Sequence, residues 1–597
     1  MKILGLTLGQ CSGSSIFVDD KIVYSSSEER YSRKKSDESY PINSINDGLS
    51  YCNINPKDLD KVIIAGKAIT LVPVLLRTFS NFSINDHMKA MKEYWYPKLI
   101  KNEDVDILKL FKTKISTDRF PFNSKIASRL QIEKIKYPIT KENEEKISAF
   151  YKMAISEHLQ IDDSKIIHLD HHTCHAAYAL YGSPVRDDRT LIFTADAWGD
   201  DLSGSISIFD KRQNKIIKLK KYHHKDFQLA RIYRYTTLYL RMLPNEHEYK
   251  VMGLAPYYEG EKIQEIVKIF ESMQTLDSLD FKFNSKIYNI YHYLEENLEP
   301  FRFDQIAAGL QSFTEKILSN WFENALSYFN SNSTVFSGGV SLNVKANMII
   351  SQLPQVKKFF ICGGGGDESL GMGACYAYAE SNNTSPQPLA DLYLGSEPYY
   401  QENELLSVSK KYHVHKYENV DQIVSFIMNG KIIATCFGRM EMGPRALGNR
   451  SIIADPRQDQ NIEKINRKIK NRDFWMPFAP IIMYEYQDEI IKNPKYLESP
   501  FMTIAFDTID GKQKIPAAVH RYDGTARPAI LKREMNPRLW ETIKKFYDLT
   551  GIPALVNTSF NLHGKPLVNT FKDALNVFDN SDLDVLWTEG HIIEKQK

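Results

Sequence analysis

Cysteine is scarce and scattered. The 597 residues contain six cysteines, at 11, 52, 174, 362, 375 and 436, and no CxxC pair. That excludes a zinc knuckle and a disulfide framework, and it suits a reducing compartment. Long apolar runs are missing too: none approaches the ~18 residues needed to span a bilayer. The opening "MKILGLTLGQCSG" turns polar too soon for a signal peptide, so the expected location is the cytoplasm. Neither charge dominates, with 76 Lys+Arg against 74 Asp+Glu and a formal net charge of +2. Such a balance leaves no basic footprint for nucleic acid, and "RKK" at 33–35 is short with acidic neighbours. The chain also lacks GxxxxGK[ST] and GxGxxG, so neither a P-loop nor a Rossmann domain is indicated.

What remains is an ordinary globular composition, 43% hydrophobic and 25% charged, on a chain too long for one core. It opens as strand, small-residue turn and hairpin: "KILGLTL", "GQCSGSS", then "SIFVDDKIVYSSS" around Asp19-Asp20-Lys21. The pattern returns near 190 as "TLIFTAD", "AWGDDLSGS" and "ISIFDKRQNKIIKLK". Two such units suggest a duplicated α/β domain holding a nucleotide between its halves; the alternative is two unrelated hairpins. Residues 83–165, rich in lysine and glutamate with helical periodicity, read as a helical insertion in a first domain spanning 1–380. "SNNTSPQPLAD" at 381–391, aperiodic with two prolines, reads as a linker, and 392–597 as a second domain.

Four histidines and an aspartate crowd into "HLDHHTCH" from His168. On a helix His171 and His175 share a face, as two ligands of one metal require. The competing reading is a polar loop before an alanine-rich helix. Asp196 at the end of a predicted strand and Asp367 after a glycine run would complete a two-imidazole, two-carboxylate set. That set suits Fe²⁺, Mn²⁺ or Zn²⁺ better than Ca²⁺. Asp367 fits a helix N-cap equally well. "FSGGVSLN" (Gly338, Gly339, Asn343) and "CGGGGDES" (Gly365, Gly366) place glycines between strand and helix, a geometry that binds anions through backbone donors. In the second domain "FGRMEMGPRALGNRSIIADPR" brings Arg439, Arg445 and Arg450 onto a loop shaped by Gly438, Gly443, Pro444 and Gly448. Arginines so arranged make forked bonds to phosphate or carboxylate. "HRYDGTARP" (His520, Asp523, Thr525, Arg527) and "VNTSFNLHGKP" (Asn557, Thr558, Ser559, Asn561, Lys565) add donor-rich turns.

Taken in order, "EERYSRKK", "DHHTCHAA", "EYKVMGLAPY", "SGGVSLNVKAN", "GGGGDESLGMGA", "GRMEMGPRALGNRSIIADPR", "FWMPFAP", "DGTARP" and "NTSFNLHGKP" resemble the O-carbamoyltransferases of nodulation-factor and antibiotic biosynthesis. The resemblance covers nearly the whole chain. It implies an α/β protein with an N-terminal duplicated actin/hexokinase-like domain, related to the universal tRNA threonylcarbamoyl-transfer protein, and a C-terminal YrdC-like adenylate-forming domain. It implies carbamoyl-adenylate made from carbamoyl phosphate and ATP, then carbamoyl transfer to a small-molecule hydroxyl, in a monomer or homodimer with no nucleic-acid or membrane partner. A divalent metal, Fe²⁺ foremost with Mg²⁺ and Mn²⁺ as the other choices, carries over onto His171, His175, Asp196 and Asp367. Adenylate and anion contacts carry over onto Arg439, Arg445, Arg450, Arg527 and Asn557, with Gly338, Gly339, Asn343, Gly365, Gly366, Thr558 and Ser559 beside them.

Two departures stand out. Family members often have His-Asp in the first turn where this chain has Cys11-Ser12, so a base for the acceptor hydroxyl is sought at His247, Glu248 or Cys11. "FWMPFAP" has methionine where arginine is common. A tRNA threonylcarbamoyl-type enzyme is the alternative, against which the near-neutral charge speaks. Hydrogenase-maturation chemistry would want CxxC pairs, and a non-catalytic scaffold would leave the arginine loop without purpose.

Overall fold

Five buried residues of "KILGLT", Ile3 to Thr7, form an apolar strand that pairs on both sides, and the rest of the first sheet grows from it. The computed structural model describes residues 1–67, 82–114, 141–400, 402–470 and 473–595. By contact the chain parts into two units: 1–28, 36–357 and 365–388 form the first, and 29–35, 358–364 and 389–597 the second.

The first unit holds two sheets of one design. β1 (Lys2–Thr7), β2 (Gly13–Val18), β3 (Lys21–Ser27), β4 (Lys61–Ala65) and β5 (Ile166–Leu169) lie in the order β3-β2-β1-β4-β5. The hairpin strands are antiparallel, and β4 and β5 join parallel. β6 (Leu191–Gly199), β7 (Leu202–Asp210) and β8 (Lys215–His223) form the second meander. A small hairpin, β9 (Gln274–Asp277) and β10 (Asp280–Phe283), stands apart. β11 (Ser333–Ser337) adds parallel to β6, giving the order β8-β7-β6-β11, and β12 (Lys358–Phe360) follows where the chain passes on to the second unit. The repeat of "SGSSIFVDD" in "SGSISIFDK" is therefore a repeat of topology, and the unit has the duplicated actin/hexokinase-like fold.

Helices α1 (His171–Tyr181), α3 (Phe303–Tyr328) and α5 (Leu370–Ser381) pack against these sheets, and α2 (Glu248–Leu254) and α4 (Val344–Gln352) pack on α3. The amphipathic α3 buries Trp321 and Phe322, with Phe322 stacked 3.8 Å from the ring of Phe193 on β6. Close helix approach rests on glycine. A Cβ on Gly373 of α5 would stand 2.0 Å from the Cys174 carbonyl of α1, and one on Gly5 of β1 would stand 2.0 Å from that of Gly371. The described part of 83–165 is helical, ending in Lys141–Leu159; residues 115–140 lie outside the described ones. From 384 to 400 there is neither helix nor strand.

The second unit is built on eight strands: β13 (Tyr412–Lys416), β14 (Ile433–Cys436), β15 (Ser451–Ala454), β16 (Ala479–Met483), β17 (Ala529–Leu531), β18 (Ala554–Ser559), β19 (Val585–Thr588) and β20 (His591–Lys595), ordered β13-β20-β19-β14-β15-β18-β16-β17. The arginine–glycine loop joins β14 to β15. The register of β15 on β18 sets Ser451 opposite Ser559 and Ile453 opposite Asn557. Among the described residues no helix is long and apolar enough to cross a membrane, and none of the six cysteines is disulfide-bonded.

Candidate functional site

His171 and His175 lie one turn apart on α1, whose N-cap Asp170 accepts from the Thr173 N–H at 2.8 Å. Asp196 comes from β6. That strand runs on to Gly199 rather than ending at Asp196, with its register broken between Ala195 and Gly199 at this point. Asp367 opens a short 3₁₀ turn whose cap is Gly366, so its carboxylate is not spent as a helix cap. The fold gathers all four. One ligand atom from each lies within 4.8 Å of the others, and this is the one such group among the described residues. His175 Nε2 is 3.3 Å from Asp196 Oδ2 and 3.5 Å from Asp367 Oδ1; His171 Nε2 is 3.9 and 3.7 Å from the same oxygens.

Donors spaced about 3.4 Å apart are what a tetrahedral ion with ~2.1 Å bonds requires. His171 Nε2, His175 Nε2 and Asp367 Oδ1 are moreover buried with no hydrogen-bond partner. Geometry and unmet donor capacity therefore fit a divalent metal. Without one, burial opposes charging of His175, but Asp196 and Asp367 outweigh it and lift the imidazole to about 9.

The surroundings fix these ligands. A Cβ on Gly199 would stand 2.2 Å from His171 Cδ2, so only glycine leaves room for that ring. The Asp200 carboxylate accepts from the His171 N–H at 2.7 Å. Gly338 has φ +95°, and a Cβ there would stand 2.2 Å from the Ala195 carbonyl. Its N–H donates to Gly365 O at 2.7 Å, and the Gly339 N–H donates to Asp196 Oδ2 at 3.1 Å. The glycine turns thus hold the carboxylate ligand. Asn343 differs from its predicted role as a nucleotide contact. Its Oδ1 accepts from Ala346 N–H as the cap of α4, and its amide makes a reciprocal pair with Gln311 at 3.0 Å. His168 and His172 are supporting residues, bonded to Gly66 O and Ser148 and to Thr194 respectively.

The candidate bases fall in two adjoining turns of the first unit. Cys11, with φ +55°, lies in the β1–β2 turn, and the neighbouring Gln10 donates to Asn245 O at 3.4 Å. Asn245 N–H in turn donates to Glu248 Oε1 at 2.7 Å. Burial raises the Glu248 carboxyl to about 7 against that bond and the charge of Arg234. His247 Nδ1 accepts from Leu243 N–H at 3.1 Å, so the neutral ring carries its proton on Nε2 and is a donor there, not a base.

In the second unit the arginines separate by role. Arg439 donates from Nε to Gly395 O at 2.9 Å and from Nη2 to Leu394 O at 2.6 Å, which ties the loop to the chain before it. Arg450 is fully buried; Nη1 donates to Phe437 O at 2.7 Å, while Nε and Nη2 have no partner. Arg445 and Arg527 are half-buried. Asn557 donates to Ala446 O at 2.7 Å and keeps its Oδ1 unpaired. Thr558, 8% exposed, sits opposite Ile452.

Two residues went unnoticed in the sequence. Glu441 Oε1 accepts from the N–H groups of Leu447, Asn449 and Arg450 at 2.8–3.0 Å and shapes the loop from inside. Lys470, buried, donates to Ser559 Oγ at 2.9 Å and Asn561 Oδ1 at 2.5 Å. Glu441 stood inside the quoted motif; Lys470 was hidden in a run of lysines and arginines.

Comparison with known proteins finds two family models along the chain. The family model described as carbamoyltransferase N-terminus matches residues 2–376, and that described as carbamoyltransferase C-terminus matches 424–595. An uncharacterized protein of Methanocaldococcus jannaschii is 29% identical over the full length of both chains. Nodulation protein NolNO of Sinorhizobium fredii is 30% identical over 73% of this chain and 65% of its own, and nodulation protein NolO of Bradyrhizobium diazoefficiens 30% over 72% and 79%. With its first 376 residues matched almost end to end, and a second match over most of the remainder, the chain belongs to the carbamoyltransferase family.

Proposed function

We propose that the protein is an ATP-dependent O-carbamoyltransferase, in which residues 392–597 form carbamoyl-adenylate and residues 1–380 pass the carbamoyl group to a hydroxyl of a sugar or other natural product. The observation that carries this reading is Arg450. A guanidinium with no exposed surface and two unanswered donors has the form of an anion receptor, because an unpaired buried charge is costly until a counter-charge arrives.

Carbamate is a poor electrophile until its oxygen carries a good leaving group. Water first cleaves carbamoyl phosphate to carbamate and phosphate. A carbamate oxygen then attacks the α-phosphorus of ATP and expels pyrophosphate, giving the mixed anhydride. Arg450, Arg445, Arg527 and the Lys470 ammonium beside Ser559 hold the phosphates, and their preorganised charge is the electrostatic term of the catalysis. Arg439 keeps the loop in shape.

In the first unit the acceptor hydroxyl loses its proton as it attacks the carbamoyl carbon, and AMP leaves with the C–O bond electrons. Glu248, half-ionised near neutrality, is the base; Cys11 in the adjoining turn is the second candidate. His171, His175, Asp196 and Asp367 would hold the divalent ion, Fe²⁺ foremost, which when bound supplies positive charge for phosphate and carbonyl oxygens. The Gly338 and Gly339 N–H groups are spent on Gly365 O and Asp196 Oδ2, so a nucleotide phosphate would take its backbone donors from the Gly365-Gly366 turn. Family membership, the near-neutral charge and six cysteines without a disulfide support a small-molecule acceptor and a cytoplasmic setting.

The test is product analysis. AMP and pyrophosphate should appear only when carbamoyl phosphate and ATP are both present. ATP turnover indifferent to carbamoyl phosphate would end the proposal.

A further inference from the structure

We infer that residues 29–35, "ERYSRKK", are a strap that sets the anion-binding loops of the second unit, with Arg30 and Arg33 as positioning residues. The inference rests on reading that unit as the adenylate-forming one. The segment lies hundreds of residues upstream, yet by contact it belongs to the second unit. Arg30 is 2% exposed; its Nη2 donates to Gly443 O at 2.6 Å and its Nη1 to Glu29 Oε1 at 2.8 Å. Arg33 Nη1 donates to Leu567 O at 2.6 Å, its Nη2 to Pro566 O at 3.1 Å, and its Nε faces Asp573 Oδ1 at 3.4 Å. One arginine therefore grips the arginine–glycine loop, and the other grips the loop that follows "NTSFN".

The grip on Gly443 falls at a sensitive point. Gly443 has φ +91° and precedes Pro444, whose own φ is fixed by its ring. The orientation of the Gly443 carbonyl therefore sets the direction in which the chain enters Pro444 and Arg445. Nothing intrinsic to glycine holds that orientation, and the Arg30 guanidinium does. At the second grip, Val568 N–H donates to Phe560 O at 3.0 Å, and Phe560 N–H donates to Arg450 O at 2.9 Å. The strap therefore reaches the flanks of Arg445 and Arg450 together. Its own backbone is held in an unfavourable form, with Arg33 at φ +58° and Ser36 just beyond it at φ +51°. Left-handed non-glycine residues persist where their surroundings over-determine them.

The test uses the full chain. In carbamoyl-phosphate-dependent AMP formation, Arg30→Ala should raise KM for carbamoyl phosphate and for ATP, by about 10- to 100-fold, while the melting temperature moves little, since small misplacement of a binding group costs about that much. Arg30→Lys should give a partial effect. A residue that only stabilises the fold would lower kcat with the folded fraction and leave KM alone; that result, or no change, overturns the inference. If Arg30→Ala does not fold, hydrogen exchange of Arg30→Lys against wild type decides. Faster exchange confined to 438–450 supports the strap, and an unchanged pattern there overturns it. Wild-type chain that forms no AMP with carbamoyl phosphate removes the functional reading, and the exchange comparison still tests the strap.

Discussion

Ser337 Oγ stands 3.2 Å from His175 Nδ1 and 3.1 Å from the carbonyl oxygen of Gly365. The carbonyl accepts the single hydroxyl proton, so the hydroxyl must accept from the imidazole. Nδ1 therefore carries hydrogen, which leaves Nε2, facing Asp196 and Asp367, as the nitrogen that would bind an ion. One serine thus selects the tautomer a metal ligand needs.

Replacing it should weaken metal binding without abolishing it. Ser337→Ala is expected to lower affinity for Fe²⁺ or Mn²⁺ about 10- to 100-fold, the usual cost of losing an outer-shell partner. His175→Ala should remove binding. Calorimetric titration of the metal-free protein measures both, and equal affinities in wild type and Ser337→Ala would refute the tautomer assignment.

Gly199→Ala tests the room left for His171. The added methyl would overlap the imidazole at 2.2 Å and push it from the ligand set. Metal content after dialysis should fall while circular dichroism stays that of the folded chain.

Arg450 is expected to be the most costly single loss in adenylate formation. Arg450→Lys keeps a cation but not the fork, and should slow carbamoyl-phosphate-dependent AMP formation by roughly 10²–10³, about 3–4 kcal/mol. A variant retaining most of the wild-type rate would remove Arg450 from the anion site.

Acid–base behaviour gives two further outcomes. As the proposed base Glu248 would act as the anion, and burial raises its carboxyl to about 7, so the transfer rate should climb with pH through that value. In Glu248→Gln the limb should vanish along with most of the rate; a limb that survives assigns the base elsewhere.

Stability should move the opposite way at Glu28. Burial raises this carboxyl from 4.5 to about 7, against the N–H donors of Ser44 and Asn43. Between those values the folded chain holds a proton that the unfolded chain has lost. The contribution is complete below about 4.5 and disappears as pH rises through about 7, a span of roughly 3 kcal/mol. Denaturant unfolding at pH 5 and pH 8 should show that fall in wild type and a smaller one in Glu28→Gln.

The duplicated sheets were legible because both halves advertise the same strand–turn–strand grammar, and topology followed from it. The clustering of His171, His175, Asp196 and Asp367 was legible for a related reason: imidazoles spaced four apart on a helix, and acids beside small-residue turns, are local patterns. What escaped was long-range. Nothing near Asn343 announces Gln311, thirty-two residues upstream, as its amide partner. Nothing in "FGRM" says that Arg439 will face the carbonyls of 394 and 395 instead of a ligand. A side chain's residue type limits what it can bond, but the fold decides which acceptor arrives first. Lys470 illustrates the converse: among many solvated lysines, burial alone distinguishes it, and burial is not written locally.

The backbone crosses from one unit to the other five times. A clean cut at residue 389 therefore cannot yield two self-sufficient pieces, because the downstream fragment would be born without fourteen residues that its interior uses. Split-gene expression, limited proteolysis and domain grafting all meet the same obstacle here. The two units are bound by the thread itself, so they must be inherited, produced and degraded as one object.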